Sequence, residues 1–71
     1  MPTRAKPAVS VILPFYNAAQ SLDRAIASIH RQTFQDWEMI ALDDGSTDAS
    51  ADIAGRWTGR DRRIRLVHAP H

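Results

Sequence analysis

Cysteine is absent from this 71-residue sequence, which excludes disulfides and zinc sites built on thiolates. Long apolar runs are also absent, because the stretch at residues 9–13 is short and is interrupted by Ser10. A signal peptide needs about 7–15 apolar residues after its charges, and a membrane span needs about 20. We therefore expect a cytoplasmic protein, with a place at the cytoplasmic face of a membrane as the alternative.

Strong charge of either sign is lacking too. A formal net charge of +1 does not favour nucleic acid as a partner, and none is expected. The length limits the chain to one small domain, which buries only about 60% of its unfolded surface. Residues 1–7 are polar and basic with two prolines, and they predict a disordered lead-in before a domain at 8–71.

Three short apolar segments predict β-strands. Residues 9–13 are β-branched and apolar, and Pro14 is expected to end this strand because it cannot donate to a sheet ladder. Residues 37–42 end in a continuous apolar run, which is typical of a strand covered on both faces. Residues 64–68 form the third candidate.

Two helices are predicted between these strands. Asn17 is a candidate N-cap for the first, and Gln20 follows at capping-box spacing. Ser46 and Asp48 are candidate caps for the second, which Gly59 is expected to end. The apolar faces are predicted from spacings of three and four residues and comprise Leu22, Ala25, Ile26 and Ile29 in the first helix and Ala49, Ile53, Ala54 and Trp57 in the second.

The order strand, helix, strand, helix, strand predicts an α/β fold: a β-α-β-α-β fragment with a parallel sheet and right-handed crossovers. We expect helices on both faces, giving three layers. Two helices cannot cover such a sheet fully, and its edges stay open. Self-association through exposed sheet edges is therefore expected.

Two polar segments follow the first two strands, at 14–17 and 43–46. Ligands of open parallel sheets bind beyond the carboxyl ends of the strands. Tyr16 could stack on the face of a nucleobase, beside Pro14, and the Asp44 carboxylate could accept a hydrogen bond from a ring N–H at the base edge. Gly45 permits a positive φ or a close backbone approach.

These segments resemble family 2 glycosyltransferases. Residues 11–17 are similar to the family's opening strand and its P-x-Y-N turn, and residues 31–38 resemble its Q-T-[FY]-x-[DN]-[WF]-E link. Residues 41–48 resemble the V-D-D-G-S-T-D signature, and residues 63–67 resemble the third strand. The matches span almost the whole chain in the family's order.

The resemblance implies the nucleotide-binding start of a GT-A (Rossmann-like) fold. It also implies inverting transfer of a sugar from a nucleotide-diphosphate sugar to a glycan, lipid or other acceptor. The implied nucleotide-sugar-binding residues are Pro14, Phe15, Tyr16, Asn17, Asp43, Asp44 and Ser46. Within this set, Asp44 is assigned to the base edge, and Asp43 and Ser46 are expected to support the loop.

The reaction centre is not among the matched residues. The family's D-x-D metal motif has no counterpart in this sequence, and neither has its catalytic base. Mg²⁺ or Mn²⁺ is expected for a full-length enzyme, whereas this chain is expected to bind no metal and to be inactive alone. His68 and His71 have a spacing that could suggest a metal pair, but a third ligand is lacking, so a solvated terminus is the preferred interpretation.

Three alternatives remain. A dinucleotide-binding dehydrogenase shares the alternation, but its first turn needs G-x-G-x-x-G, and residues 14–20 contain no glycine. A signalling receiver should carry its acidic pair after the first strand rather than the second. A degenerate or truncated module that binds nucleotide without catalysis stays open. The basic cluster of Arg60, Arg62, Arg63 and Arg65 is expected to be a solvated turn, with contact to a diphosphate or an anionic surface as the alternative.

Overall fold

A computed structural model describes residues 7–69 of the protein. The elements are β1 (Val9–Phe15), α1 (Ala19–Arg31), β2 (Trp37–Asp43), α2 (Ser50–Arg60) and β3 (Ile64–His68). The strands form a parallel sheet in the order β1-β2-β3. The predicted α/β class and element order are confirmed. The predicted lead-in, apart from Pro7, lies outside the described residues.

Both helices pack on one face of this sheet. In β2, Trp37, Met39 and Ala41 are buried, whereas the alternate residues between them are only half-buried. The two crossovers run in the same direction, from β1 to β2 to β3, so right-handed connections place both helices on the same side. The expectation of three layers, with β2 covered on both faces, was therefore wrong for residues 7–69.

The opposite face of the sheet carries apolar side chains without a covering layer among the described residues. Ile12 is 55% exposed and Val67 is 44% exposed. Ile40 and Leu42, on the central strand between them, are half-buried. The strands therefore carry more apolar side chains on this face than residues 7–69 can cover.

The core lies between the sheet and the helix pair. Leu22 and Ile26 of α1 are buried, as is Trp57 of α2, and Ile29 packs against this cluster. Asp23 of α1 accepts a hydrogen bond of 2.9 Å from the Trp57 indole Nε1, which joins the two helices.

Within residues 7–69, neither helix has the length and apolar character needed to cross a membrane.

Three predictions about the ends of elements and the burial of their residues were wrong. Pro14 does not end β1, which continues to Phe15. The Val9 N–H and the Phe15 carbonyl both bond toward β2, so by alternation the Pro14 nitrogen faces the open edge, where no ladder donor is needed. Ala49 is exposed rather than buried because it occupies the N-cap position before α2. Gly59 does not end α2, which runs one residue further.

Arg63 does not lie in a solvated turn. It belongs to a cluster with Trp37, Asp61 and His30, which we call the buttress. Its guanidinium lies 3.9 Å from the centroid of the Trp37 ring and 2.6 Å from an Asp61 carboxylate oxygen. Asp61 also lies 3.3 Å from His30 Nε2, at the end of α1. The Arg63 hydrogen bonds lower the pKa of Asp61 to about 2. This cluster ties both helix C-termini to the start of β3.

We predict that Asp61→Asn lowers the free energy of unfolding by about 1–2 kcal/mol at pH 7, because charge-assisted hydrogen bonds are lost. The folded-state pKa lies below the usual 3.8, so the contribution is complete above that value. It disappears as the pH falls through about 2. Urea unfolding across this pH range provides the measurement. Asp52→Asn, on the exposed first turn of α2, is the control and should cost only about 0.3–1 kcal/mol. Equal effects of the two substitutions would contradict the prediction.

Candidate functional site at the carboxyl ends of the strands

The three strands end at one rim of the sheet. In the parallel register Phe15 lies beside Asp43, and Asp43 lies beside His68. The backbone N–H of Asp44 donates to the Phe15 carbonyl over 3.0 Å, so the residues that follow β1 and β2 start from adjacent points. The rim therefore gathers side chains that are 25 or more positions apart in the sequence.

The turn after β1 and the loop after β2 are joined by reciprocal hydrogen bonds, which we call the loop clamp. The Asn17 side-chain oxygen accepts from the backbone N–H of Thr47 at 2.8 Å and of Asp48 at 3.3 Å. In return, the Asn17 N–H donates to Ser46 Oγ at 3.0 Å. Asn17 has a positive φ of 48°, which asparagine tolerates better than most residues and which turns its N–H and side chain toward the loop.

Ser50 and Asp48 extend the loop clamp to the start of α1, where they accept hydrogen bonds from backbone N–H groups. The Ala18 N–H donates to Ser50 Oγ at 2.8 Å, and the Ala19 N–H donates to Asp48 Oδ2 at 3.2 Å. Asp48 Oδ1 accepts from the Ser50 N–H at 2.9 Å, so one carboxylate serves the first turns of both helices. These hydrogen bonds, first that with Ser50, lower the pKa of Asp48. The free N–H groups of a helix start are thus occupied by side chains from another loop.

The predicted caps were consequently assigned to the wrong partners. Asn17 does not cap α1: the N-cap is Ala18, without a side-chain cap bond of its own. Ser46 does not cap α2 and instead accepts from Asn17. Asp48 does bond the first turn of α2, although the N-cap position belongs to Ala49.

Asp43 is a buried carboxylate in the middle of the rim. Its Oδ1 accepts from the Ser46 N–H at 2.8 Å, and its Oδ2 lies 3.0 Å from His68 Nδ1. Hydrogen bonds from Ser46, with a smaller effect of His68, lower the pKa of Asp43 despite its burial. Gly45 between Asp43 and Ser46 has φ = 80°, a conformation that disfavours a side chain. The loop is therefore held in a tight turn around an ionised carboxylate.

The remaining candidate residues differ in accessibility. Tyr16 is 49% exposed, and Asp44 is also exposed, so both stand at the rim outside the core. Pro14 is exposed on the uncovered face of the sheet. Phe15, predicted as part of the nucleotide-binding set, has its side chain in the core at 6% exposure and offers the rim only its backbone. The Asn17 side-chain oxygen is engaged in the loop clamp.

Sequence reasoning missed His68 and Ser50 at this site. His68 was interpreted as part of a solvated terminus, yet it contacts Asp43; its proposed partner in a metal pair, His71, lies outside the described residues. The predicted strand bounds, 37–42 and 64–68, do not give the parallel register that pairs His68 with Asp43. Ser50 is the first residue of α2 and carries no sequence signal for its contact with Ala18.

Metal ligands are scarce in the part of the chain that the structure describes. No group of three or more His, Cys, Asp or Glu side chains there could hold a metal ion. The polar groups of Asp43 and Asp48 are committed to loop hydrogen bonds, which suits a rigid binding rim better than an ion cage. The carboxyl ends of β1, β2 and β3 therefore carry an aromatic ring, a carboxylate and an imidazole, in that order.

Comparison with known proteins identifies relatives of this chain. The sequence pattern that describes glycosyl transferase family 2 matches residues 10–71. The uncharacterized glycosyltransferase EpsJ of Bacillus subtilis is 44% identical over 62 residues, which cover 87% of this chain and 18% of that protein. The putative teichuronic acid biosynthesis glycosyltransferase TuaG of the same organism is 42% identical over 66 residues, covering 93% of this chain and 26% of that protein.

A solved structure is similar in fold. The mannosyltransferase PcManGT from Pyrobaculum calidifontis, determined with GDP-Man and Mn²⁺, has a TM-score of 0.74 and 26% sequence identity. The match covers 93% of this chain and 20% of that protein. The chain therefore spans about a fifth to a quarter of the length of these relatives.

We predict that Ser50→Ala destabilises the fold by about 1–3 kcal/mol, because the Ala18 N–H loses its acceptor in a site where Ser50 is fully buried. Denaturant unfolding measures the effect. Ser28→Ala is the matched control: this exposed serine of α1 only bonds the carbonyl of Ala25 within its own helix and should change stability by less than about 0.5 kcal/mol. A Ser50→Ala variant as stable as the Ser28→Ala variant would show that the loop clamp contributes little.

Proposed function

Since this chain belongs to glycosyl transferase family 2, we propose that it supplies part of the donor site of a sugar-transferring enzyme. The donor is a nucleotide-diphosphate sugar, whose base is held at the rim of the sheet. The acceptor is a glycan, a lipid or another hydroxyl-bearing molecule, and polysaccharide assembly is the setting favoured by relatives such as TuaG.

One observation carries this proposal: Tyr16 is half exposed at a rim where Asp44 is exposed on the adjacent loop. The hydrogen bond between the Asp44 N–H and the Phe15 carbonyl keeps the two loop segments together, and the loop clamp fixes their backbones. The Tyr16 ring can then stack on the base, and the Asp44 carboxylate can accept its ring N–H. We assign Pro14 to the border of this base site, while the hydrogen bond between Asp43 and the Ser46 N–H holds the loop in its conformation.

The chemical step is assigned to parts of the enzyme other than residues 7–69. We propose an inverting displacement in which a base removes the proton of the acceptor hydroxyl and a divalent metal neutralises the leaving diphosphate. Mg²⁺ or Mn²⁺ is the proposed metal, and the similar mannosyltransferase was determined with Mn²⁺. No residue of this chain is assigned a catalytic role.

The setting of the enzyme belongs to the same proposal. A chain without cysteine forms no disulfides, which fits a reducing compartment, and we place the enzyme in the cytoplasm or at the cytoplasmic face of a membrane. The open edges of β1 and β3, together with exposed Ile12 and Val67, support self-association of the isolated chain.

We predict that the chain binds UDP or GDP more tightly than NAD, and that Tyr16→Ala weakens this binding by about 1–3 kcal/mol through loss of stacking. Asp44→Asn should weaken nucleotide binding more than Tyr16→Ala does, because the charged hydrogen-bond acceptor for the base edge is lost. Isothermal titration provides the measurement. Phe34→Ala is the matched control, since Phe34 is 50% exposed but precedes β2, at the opposite end of the sheet. Equal losses for Tyr16→Ala and Phe34→Ala, or a preference for NAD, would overturn the donor-site proposal.

We predict that the isolated chain has no sugar-transfer activity. UDP-glucose or GDP-mannose, Mn²⁺ and a candidate acceptor are incubated with the chain, and released nucleoside diphosphate is compared with a protein-free sample. No excess release is expected, because none of the described side chains forms a metal cluster. Turnover well above background that a Tyr16→Ala variant lacks would place the reaction centre within this chain and contradict the assignment.

A further inference from the structure

We propose that the end of the sheet opposite the rim is a docking surface for an anionic phospholipid membrane. Four exposed residues define this surface, which we call the basic end: Arg31, Phe34, Arg60 and Arg62. The inference rests on the proposed setting at the cytoplasmic face of a membrane, and it identifies the part of the chain that makes the contact. It does not depend on nucleotide binding at the rim.

The buttress joins the end of α1 to the turn after α2. Arg31 is the last residue of α1, and the preceding His30 has its Nε2 3.3 Å from Asp61. Arg60 and Arg62 stand on either side of Asp61 in the chain. The three arginines are exposed, so this contact gathers three solvent-facing cations at one end of the molecule.

A second contact attaches the link between α1 and β2 to the same turn. The backbone carbonyl and the side-chain oxygen of Gln35 accept from Arg63 Nη1 at 2.8 Å and 3.1 Å. Phe34, directly before Gln35, is 50% exposed. An exposed aromatic ring therefore lies at the same end of the sheet as the three arginines, where the helices end and the parallel strands begin.

The protein does not neutralise the charges of the basic end. Within residues 7–69 none of its three arginines forms an ion pair, and the contact of Arg60 with the Trp57 ring, 4.9 Å from the ring centroid, leaves its charge intact. The carboxylates at this end are Asp36 and Asp61, and Asp61 is already paired with Arg63. The remaining positive charge is complementary to an anionic lipid surface.

The charge distribution determines how the chain lies on such a surface. The segments 14–19 and 43–50, which form the rim, contain no lysine or arginine, and their acidic residues are Asp43, Asp44 and Asp48. An anionic membrane repels the rim and attracts the basic end. The rim is therefore directed away from the lipid, where a water-soluble nucleotide-sugar donor can reach it.

The link that carries Phe34 is suited to insertion among lipid headgroups. The Gln32 side chain accepts from the Phe34 N–H at 2.8 Å and donates to the Phe34 carbonyl, so both backbone groups have partners. An unsatisfied backbone group is costly in an apolar phase, and this link brings none at Phe34. Arginines alone would suit any polyanion, whereas an apolar ring on such a backbone favours a membrane into which it can insert.

Flotation with lipid vesicles tests the proposal. The chain is mixed with vesicles of phosphatidylglycerol and phosphatidylcholine in equal parts, or of phosphatidylcholine alone, and the lipid-bound fraction is collected by flotation, which leaves self-associated protein behind. Binding is expected only with the anionic vesicles, and added salt should weaken it because exposed charges are screened. Failure to bind the anionic vesicles, or equal binding to both kinds, would overturn the docking surface and leave the donor site standing.

Substitutions separate the basic end from the uncovered face of the sheet. Phe34→Ser should weaken binding to anionic vesicles about five- to tenfold through loss of ring insertion. The combination of Arg31→Gln, Arg60→Gln and Arg62→Gln should weaken it on the order of a hundredfold. Ile12→Ser, at a position 55% exposed on the uncovered face, is the control and should bind like the wild type.

Two results from these variants would contradict the proposal. An equal loss in Ile12→Ser would assign the contact to the sheet face instead of the basic end. Full binding by Phe34→Ser would show that the arginines attract polyanions in general, such as nucleic acid, and that no ring enters the membrane.

A fluorescent reporter provides a test that does not weaken the surface. Phe34→Trp places an indole at the proposed insertion point, whereas Trp37 and Trp57 are buried at 2% and 6% exposure. Anionic vesicles should shift the emission of Phe34→Trp to shorter wavelength and leave the emission of the wild type unchanged. Vesicle-bound Phe34→Trp without such a shift would overturn the insertion of this residue and with it the docking surface.

Discussion

The rim depends on one set of hydrogen bonds, in which the side chains of one loop satisfy the backbone at the start of the neighbouring helix. Asp48 bonds the first turns of α1 and α2 with its two carboxylate oxygens, and Ser50 supplies a further acceptor for Ala18. A helix start leaves several N–H groups without partners inside the helix. By using these groups to join two loops, the chain fixes the turn that carries Tyr16 relative to the loop that carries Asp44.

The buttress holds the other end of the sheet. Arg63 lies over the Trp37 ring and bonds Asp61, which reaches His30 at the end of α1. Apolar packing on one face of the sheet holds the middle. The proposed binding rim and this polar cluster thus lie at opposite ends of the sheet, and both contain hydrogen bonds or ion pairs that hold the helices in place.

The fold could be predicted largely from the sequence, because the periodicity of apolar residues and the residues that end helices and strands are local signals. The apolar spacing of α1 and the β-branched strands located every element to within one or two residues. The layer count could not be predicted this way: which face a helix covers depends on the order of the strands, and the apolar run of β2 suggested two covering layers where residues 7–69 supply one. Pro14 misled for a related reason, since its effect depends on which side of the strand is hydrogen-bonded.

The candidate site was predictable only in part. Aromatic and acidic residues after apolar strands drew attention to Tyr16 and Asp44, but hydrogen bonds between loops some 30 residues apart leave no local trace. Asn17 and Ser46 therefore looked like helix caps when they are partners of each other. Phe15 shows the opposite error, because adjacency in a motif says nothing about which side of a strand a ring occupies.

The loop clamp has a thermodynamic consequence for a chain of this size. It connects the turn after β1 to the loop and helix after β2, so a molecule seated on the rim would contact segments that keep their arrangement only while the domain is folded. A ligand that binds only the native form shifts the folding equilibrium toward it, by about 2.7 kcal/mol at a hundredfold excess over its dissociation constant. For a domain of marginal stability this is a substantial fraction of the total, so occupancy of the rim and the folded population would rise and fall together.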